Sequence, residues 1–201
     1  MPRVSADGKT PDWGRLYELA APQGGYFSAG QAKRAGYSAQ LLQYYVSNGH
    51  LERAGRGVCR LVHFPAGENE DLVVAWLWSE GHGIVSHDTA LALHQLSDVL
   101  PGKAHLTVPE QWRARRLRVP KGLVLHFADI PKRDVAWMGP VPVTRPLRTL
   151  HDCIEANVPV ELTRQALKEG LAKGVFARSD ARELRQAMNL HAKRPAAESP
   201  A

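Results

Sequence analysis

Apolar positions first recur at helical spacing at Trp13, Leu16, Leu19 and Ala20, one stripe that predicts a helix from Asp12 to Ala21 with Asp12 as its N-cap. Pro22 stops it, and Gln23-Gly24-Gly25 reads as a turn. Tyr26-Phe27 is a short extended piece, after which Ser28 opens a second helix running to Ala35. Gly36 ends that helix at the position where a left-handed conformation is wanted. Only Tyr37 separates it from Ser38, the N-cap of a third helix through about Asn48, which Gly49 closes. Two capped helices joined by a tight glycine turn are what a helix-turn-helix requires.

The segment Leu51 to Leu61 has apolar ends and Gly55-Arg56-Gly57 at its centre, the pattern of a hairpin with a basic tip. A helix-turn-helix followed at once by a hairpin is a winged helix. Pro65-Ala66-Gly67 breaks the pattern and marks a boundary. Beyond it, Glu70 to Ser79 is an apolar helix, and Ser86 caps another through about Leu96. Ala104 to Val108, Gly122 to Phe127 and Val135 to Val143 read as strands, the last interrupted by Gly139-Pro140. Thr144 is expected to cap a helix with Pro146 in its first turn, followed by helices from Pro159 to Lys173 and Ser179 to Leu190. The expected fold class is α+β: a winged helix-turn-helix over residues 12–65, then a mixed α/β domain over 68–190. A loose arm (1–11) and a disordered tail (191–201) flank them.

Charge sharpens this division. Residues 1–66 carry 8 Lys/Arg against 4 Asp/Glu, residues 67–144 carry 8 against 9, and residues 145–201 carry 10 against 7. A basic N-terminal module suits a polyanionic partner better than a uniformly positive protein would. The third helix carries the argument to DNA. Leu41, Leu42, Tyr45 and Val46 make an inner face, while Gln40, Gln43, Tyr44 and Ser47 recur on the opposite one. That outer stripe holds donors and acceptors without formal charge, as reading base edges requires. Taken alone it also fits a solvated helix face, and the basic hairpin that follows tips the reading toward DNA. Ser38 at the helix start joins the expected contact set. Phosphate contacts would come from Lys33 and Arg34 on the second helix and from Arg53, Arg56 and Arg60 on the hairpin.

A second basic run, Arg113, Arg115, Arg116, Arg118 and Lys121, lies between two predicted strands. It fits a second DNA contact or protein-binding rim, and equally a loop kept soluble by charge. The histidines give no metal motif by spacing. His87 and His94 are two helical turns apart, His82 and His87 straddle a turn, and no His-Glu-x-x-His occurs. No metal and no cofactor are therefore expected. Cys59 and Cys153, the only cysteines, form no Cys-x-x-Cys pair and read as small buried residues in a reducing compartment. No Gly-x-Ser-x-Gly elbow or phosphate-binding glycine loop is present, so there is no positive case for an enzyme. No stretch of about 20 apolar residues predicts a membrane span. The N-terminus has no signal-peptide core, so the expected location is the cytoplasm.

Phe27-Ser28-Ala29-Gly30-Gln31-Ala32, Gly36-Tyr37-Ser38 and the run from Gly49 through Gly55-Arg56-Gly57-Val58-Cys59 to Leu61 resemble the N-terminal domain of the AbiE-type antitoxins. Val85 to His94 and Val143 to Asp152 extend the resemblance to roughly residues 13–190. These antitoxins belong to type IV toxin–antitoxin systems of phage abortive infection. The resemblance implies a winged helix that binds repeats in duplex DNA at its own promoter and represses it. It further implies a non-catalytic C-terminal domain that counteracts a nucleotidyltransferase-like toxin without a stable complex. The alternative is a degenerate nuclease-like enzyme targeted to DNA by its winged helix. A third reading is an adaptor whose winged helix contacts protein.

Overall fold

The structure, a computed structural model, describes residues 11–192. The arm expected over 1–11 lies outside them except for its last residue. The expected tail lies outside them except for residues 191 and 192, which close the last helix. Among the described residues no helix is long and apolar enough to cross a membrane. The chain divides into two compact units: one reaches to Gly83 and includes Trp137–Val141, and the other comprises Ile84–Ala136 and the chain from Pro142 on.

The first unit begins with α1 (Trp13–Ala20), whose N-cap Asp12 accepts the Arg15 N–H at 3.1 Å. A 3-10 turn over Ala21–Gln23 leads to β1 (Tyr26–Ser28) and then to α2 (Ala29–Arg34) and α3 (Ala39–Ser47). Ser28 and Gln31 form a reciprocal cap: Ser28 Oγ accepts from Gln31 N at 3.2 Å, and Gln31 Oε1 accepts from Ser28 N at 2.8 Å. Buried Gln23 ties this corner together, donating to Leu19 O and Tyr26 O and accepting from Gln31 Nε2 at 2.8 Å. The hairpin β2 (Leu51–Gly55) and β3 (Val58–Leu61) joins β1 in a three-stranded antiparallel sheet of order β1-β3-β2, with a register shift between Arg53 and Gly55. Its core gathers Leu16, Ala20, Phe27, Ala32, Ala35, Tyr37, Leu42, Leu51, Cys59 and Leu61.

The helix α4 (Glu70–Trp78) packs against all three strands, so the first unit continues past the Pro65-Ala66-Gly67 break. Leu72, Val73, Ala75 and Leu77 are buried. Glu70 fixes the start of α4: it accepts the Gly67 N–H at 2.9 Å and pairs with Arg60 at 3.4 Å. The Gly67 N–H and then Tyr26 hold its carboxyl below the usual carboxylate range. Burial, and then Glu70, push the Tyr26 phenol up to about 12.

A five-stranded mixed sheet has the order β6-β5-β4-β8-β7, formed by β4 (Ile84–Val85), β5 (Ala104–Val108), β6 (Leu123–Phe127), β7 (Val135–Met138) and β8 (Val141–Thr144); all of it belongs to the second unit except the end of β7 and the first residue of β8, which fall in Trp137–Val141. The two-residue β4, which the sequence pattern misses, runs antiparallel to β5 and parallel to β8; β5 and β6 are parallel. Four helices complete the second unit: α5 (His87–Leu93), α6 (Pro146–Glu155), α7 (Val160–Ala172) and α8 (Arg178–Ala192). They close over Leu91, Leu96, Leu150, Cys153, Ile154, Leu167, Phe176 and Leu184. Both cysteines are buried and free.

Two expected caps are corrected. Thr144 ends β8 and lies fully buried, its hydroxyl 2.7 Å from Thr149 Oγ1. With Pro146 as the first helical residue, the N-cap of α6 is Arg145. Ser86 holds the N-cap position of α5, but its hydroxyl makes no cap bond and accepts from Thr107 Oγ1 at 2.7 Å instead. The helix that was to reach Leu96 ends at Leu93, and Gln95 takes a left-handed conformation (φ 53°).

Candidate functional site

The outer face of α3 is built from below. Tyr45, on its inner side, packs among Trp13, Tyr37 and His50, with ring centroids 5.5, 5.9 and 5.8 Å away. Leu42 is buried beside it. This anchoring turns Gln40, Gln43, Tyr44 and Ser47 outward, all of them exposed, with Tyr44 60% accessible. Ser38 Oγ accepts the Leu41 N–H at 3.2 Å, so its hydroxyl starts the helix. From the neighbouring β2, Arg53 Nη2 donates to Gln43 Oε1 at 2.9 Å, while Gln43 Nε2 donates to Ser47 Oγ at 3.5 Å. A guanidinium is thereby seated on a neutral polar stripe.

The other expected contacts fall elsewhere in the first unit. Ala29 N–H donates to Gly57 O at 2.8 Å, holding the hairpin tip at the start of α2. Arg56 and Arg34, both exposed, line one cavity of about 610 Å³ together with Trp76 and His82. Lys33 is exposed on α2. Arg60, the other expected phosphate contact, is engaged within the unit. Its guanidinium lies 5.5 Å from the centroid of the Tyr26 ring, donates to Phe64 O at 3.0 Å and pairs with Glu70, leaving its side chain 16% accessible. Position 60 pairs with Tyr26 and Glu52 inside the sheet, so its charge is spent joining α4 to the strands.

In the second unit, Arg113, Arg115, Arg116, Arg118 and Lys121 are exposed between β5 and β6. Two of them are engaged: Arg113 donates to both carboxylate oxygens of Glu110 (2.7 and 3.2 Å), and Arg115 sits 4.4 Å from the centroid of the Trp112 ring.

The same unit also holds a group that sequence spacing does not reveal. His87, His105 and His126 each offer a ring nitrogen within 4.8 Å of the others'. Burial, then the neighbouring His126, His105 and Arg148, hold His87 down to about 3. Burial, then His105, hold His126 down to about 4. His105 is lowered by burial against a raising contribution from Asp88. Spacing draws attention to His82, His87 and His94, but the partners of His87 come from two paired strands. His94 instead lies 2.7 Å from Thr144 O through Nε2.

Residues 15–62 match the family of transcriptional regulators described as AbiEi antitoxin. The AbiEi match runs from within α1 to just beyond β3, taking in α2, α3 and the hairpin. It supports an antitoxin and transcriptional-regulator role at the level of the family. The resemblance expected over residues 13–190 is borne out over this segment. No curated protein matches the chain.

Proposed function

We propose that the chain is a DNA-binding repressor in which residues 12–65 act as a winged helix-turn-helix. In this reading α3 enters the major groove of duplex DNA and reads base edges with Gln40, Gln43, Tyr44 and Ser47. Arg53, Arg56, Arg34 and Lys33 neutralise phosphates along the way. The observation that carries the reading is the uncharged outward face of α3 with Arg53 hydrogen-bonded to Gln43. The AbiEi match over residues 15–62 supports it.

The target is repeats in the chain's own promoter. The second unit is non-catalytic and counteracts a nucleotidyltransferase-like toxin without a stable complex, as the AbiE-type resemblance implies. A gel shift with the full chain and its own upstream DNA tests the first half of this reading, with retardation expected at concentrations that leave random duplex free. Co-expression with the neighbouring gene tests the second half. Growth restored by the full chain supports the antitoxin role, and unrelieved toxicity contradicts it.

A further inference from the structure

Parallel pairing of β5 with β6 sets Thr107 opposite His126 and His105 opposite Val124. Residues two apart in a strand share a face, so His105 and His126 stand diagonally on one face of the sheet. His105 Nδ1 lies 3.0 Å from His126 Nε2. His87, the first residue of α5, stacks on His126 with centroids 3.5 Å apart and planes at 13°. Its backbone is left-handed at φ 52°, a conformation that L residues other than Asn, Asp and His rarely adopt, and local strain of this kind concentrates at functional sites. His87 Nδ1 is 2.9 Å from Ser86 Oγ, which also receives Thr107 Oγ1. That contact occupies Nδ1 and leaves Nε2 as the nitrogen able to ligate. An independent observation lies one residue on: Asp88 Oδ1 is buried without a hydrogen-bond partner, and the Asp88 charge acts on His105.

We propose that His87, His105 and His126 form a binding site for a divalent transition-metal ion of the zinc class, with Asp88 supplying compensating negative charge. This goes beyond the DNA-binding reading and lies wholly in the second unit. Imidazole is the ligand that zinc, copper and nickel share, and three of them leave one position open. A tetrahedral ion with metal–nitrogen bonds of about 2.0–2.1 Å spaces its ligand nitrogens about 3.3–3.4 Å apart, close to the His105–His126 separation. The ion replaces the hydrogen shared by that pair, which moves to the outer nitrogen of the ring that carried it. Stacked rings cannot both point in-plane at one ion, so binding turns the His87 ring about its Cβ–Cγ bond. In the metal-free arrangement the Ser86 hydroxyl orients His87 through Nδ1, and this contact adjusts as the ring turns. Arg148, the cation that acts on His87, is paired with Asp152 at 2.7 Å.

The test uses the full chain, produced without a histidine tag and stripped with a chelator. Cobalt(II) titration should develop the visible bands of a tetrahedral nitrogen site, saturating at one equivalent and bleached by zinc. His105→Gln and His126→Gln, each checked by circular dichroism for an unchanged fold, should weaken binding at least tenfold. His151→Ala, outside the cluster, should leave it unchanged. Zinc should also raise the thermal midpoint of the wild-type chain. No saturable cobalt or zinc binding by the folded wild-type chain, or binding undiminished in both glutamine variants, would overturn the proposal. Neither result bears on promoter binding, which the gel shift reads separately.

Discussion

At Gln43 and Arg53, the hydrogen bond between the two side chains makes them act as a unit. Gln43→Ala should cost the promoter site roughly 1–3 kcal/mol relative to random duplex, whereas Arg53→Ala should weaken binding to both duplexes and remove part of that preference only through the bond that orients Gln43. The double variant should cost clearly less than the two added, because neighbours sharing a partner are not additive. Fluorescence anisotropy on both duplexes measures this, and strictly additive losses would show that the pair does not act together. Arg60 should behave in the opposite way. Its replacement by Ala removes the links to Glu70 and Phe64 O, so the melting temperature falls while the DNA affinity of the folded protein is kept. A lost affinity at an unchanged melting temperature would return Arg60 to the contact set.

Among the elements, α7 carries a glycine at a close approach. A Cβ placed on Gly170 would lie 2.2 Å from the buried ring of Phe176. Gly170→Ala should therefore destabilise the second unit by about 1–3 kcal/mol despite the better helix propensity of Ala. Equilibrium denaturation checks this, and a stabilised variant would contradict the packing described. The histidines of α5, β5 and β6 give a pH dependence. His87, His94, His105 and His126 are all held below the ordinary histidine value of 6.5, so the unfolded chain binds more protons than the folded one as pH falls through it. Stability present above about pH 6.5 is thus lost progressively on acidification of the metal-free protein. Asp152, raised by burial, has the opposite sign and offsets part of this loss; the interval from about pH 7.5 to 5.5 brackets the ordinary histidine value. Thermal melts across that interval should show a falling midpoint, and a flat or rising one would refute the buried neutral assignment.

These elements also show what a sequence can carry. The caps at Asp12, Ser28 and Ser38 and the glycines after α2 and α3 are local signals, and the first three helices and the hairpin follow from them. β4 is too short for alternation to register, although it holds the centre of its sheet. His105 and His126 meet only because strands 21 residues apart pair in one register, which no spacing rule encodes. Arg60 was legible as basic, but its partner Glu70 lies beyond the break taken as a boundary.

Over the whole molecule, the position of α4 bears on how the chain divides. This helix packs against all three strands of the β1-β3-β2 sheet, so a fragment ending near Pro65 would expose that sheet. One ending at Gly83 should give the more cooperative thermal transition, and equal transitions would show that α4 is dispensable. The net charge of +6, concentrated toward the two ends, favours encounter with a polyanion without selecting a sequence. Selection is assigned to α3, and the central claim is this division between reading helix and phosphate-binding arginines. It is tested most directly by measuring the affinity of the full chain for promoter and random duplex across a salt series, alongside Tyr44→Ala and Arg56→Ala. The account predicts that affinity falls linearly with salt on logarithmic axes and that Arg56→Ala flattens the slope by about 0.9 with the promoter preference kept. Tyr44→Ala should keep the slope and lose the preference. An affinity indifferent to salt, or equal losses on both duplexes for both variants, would contradict it.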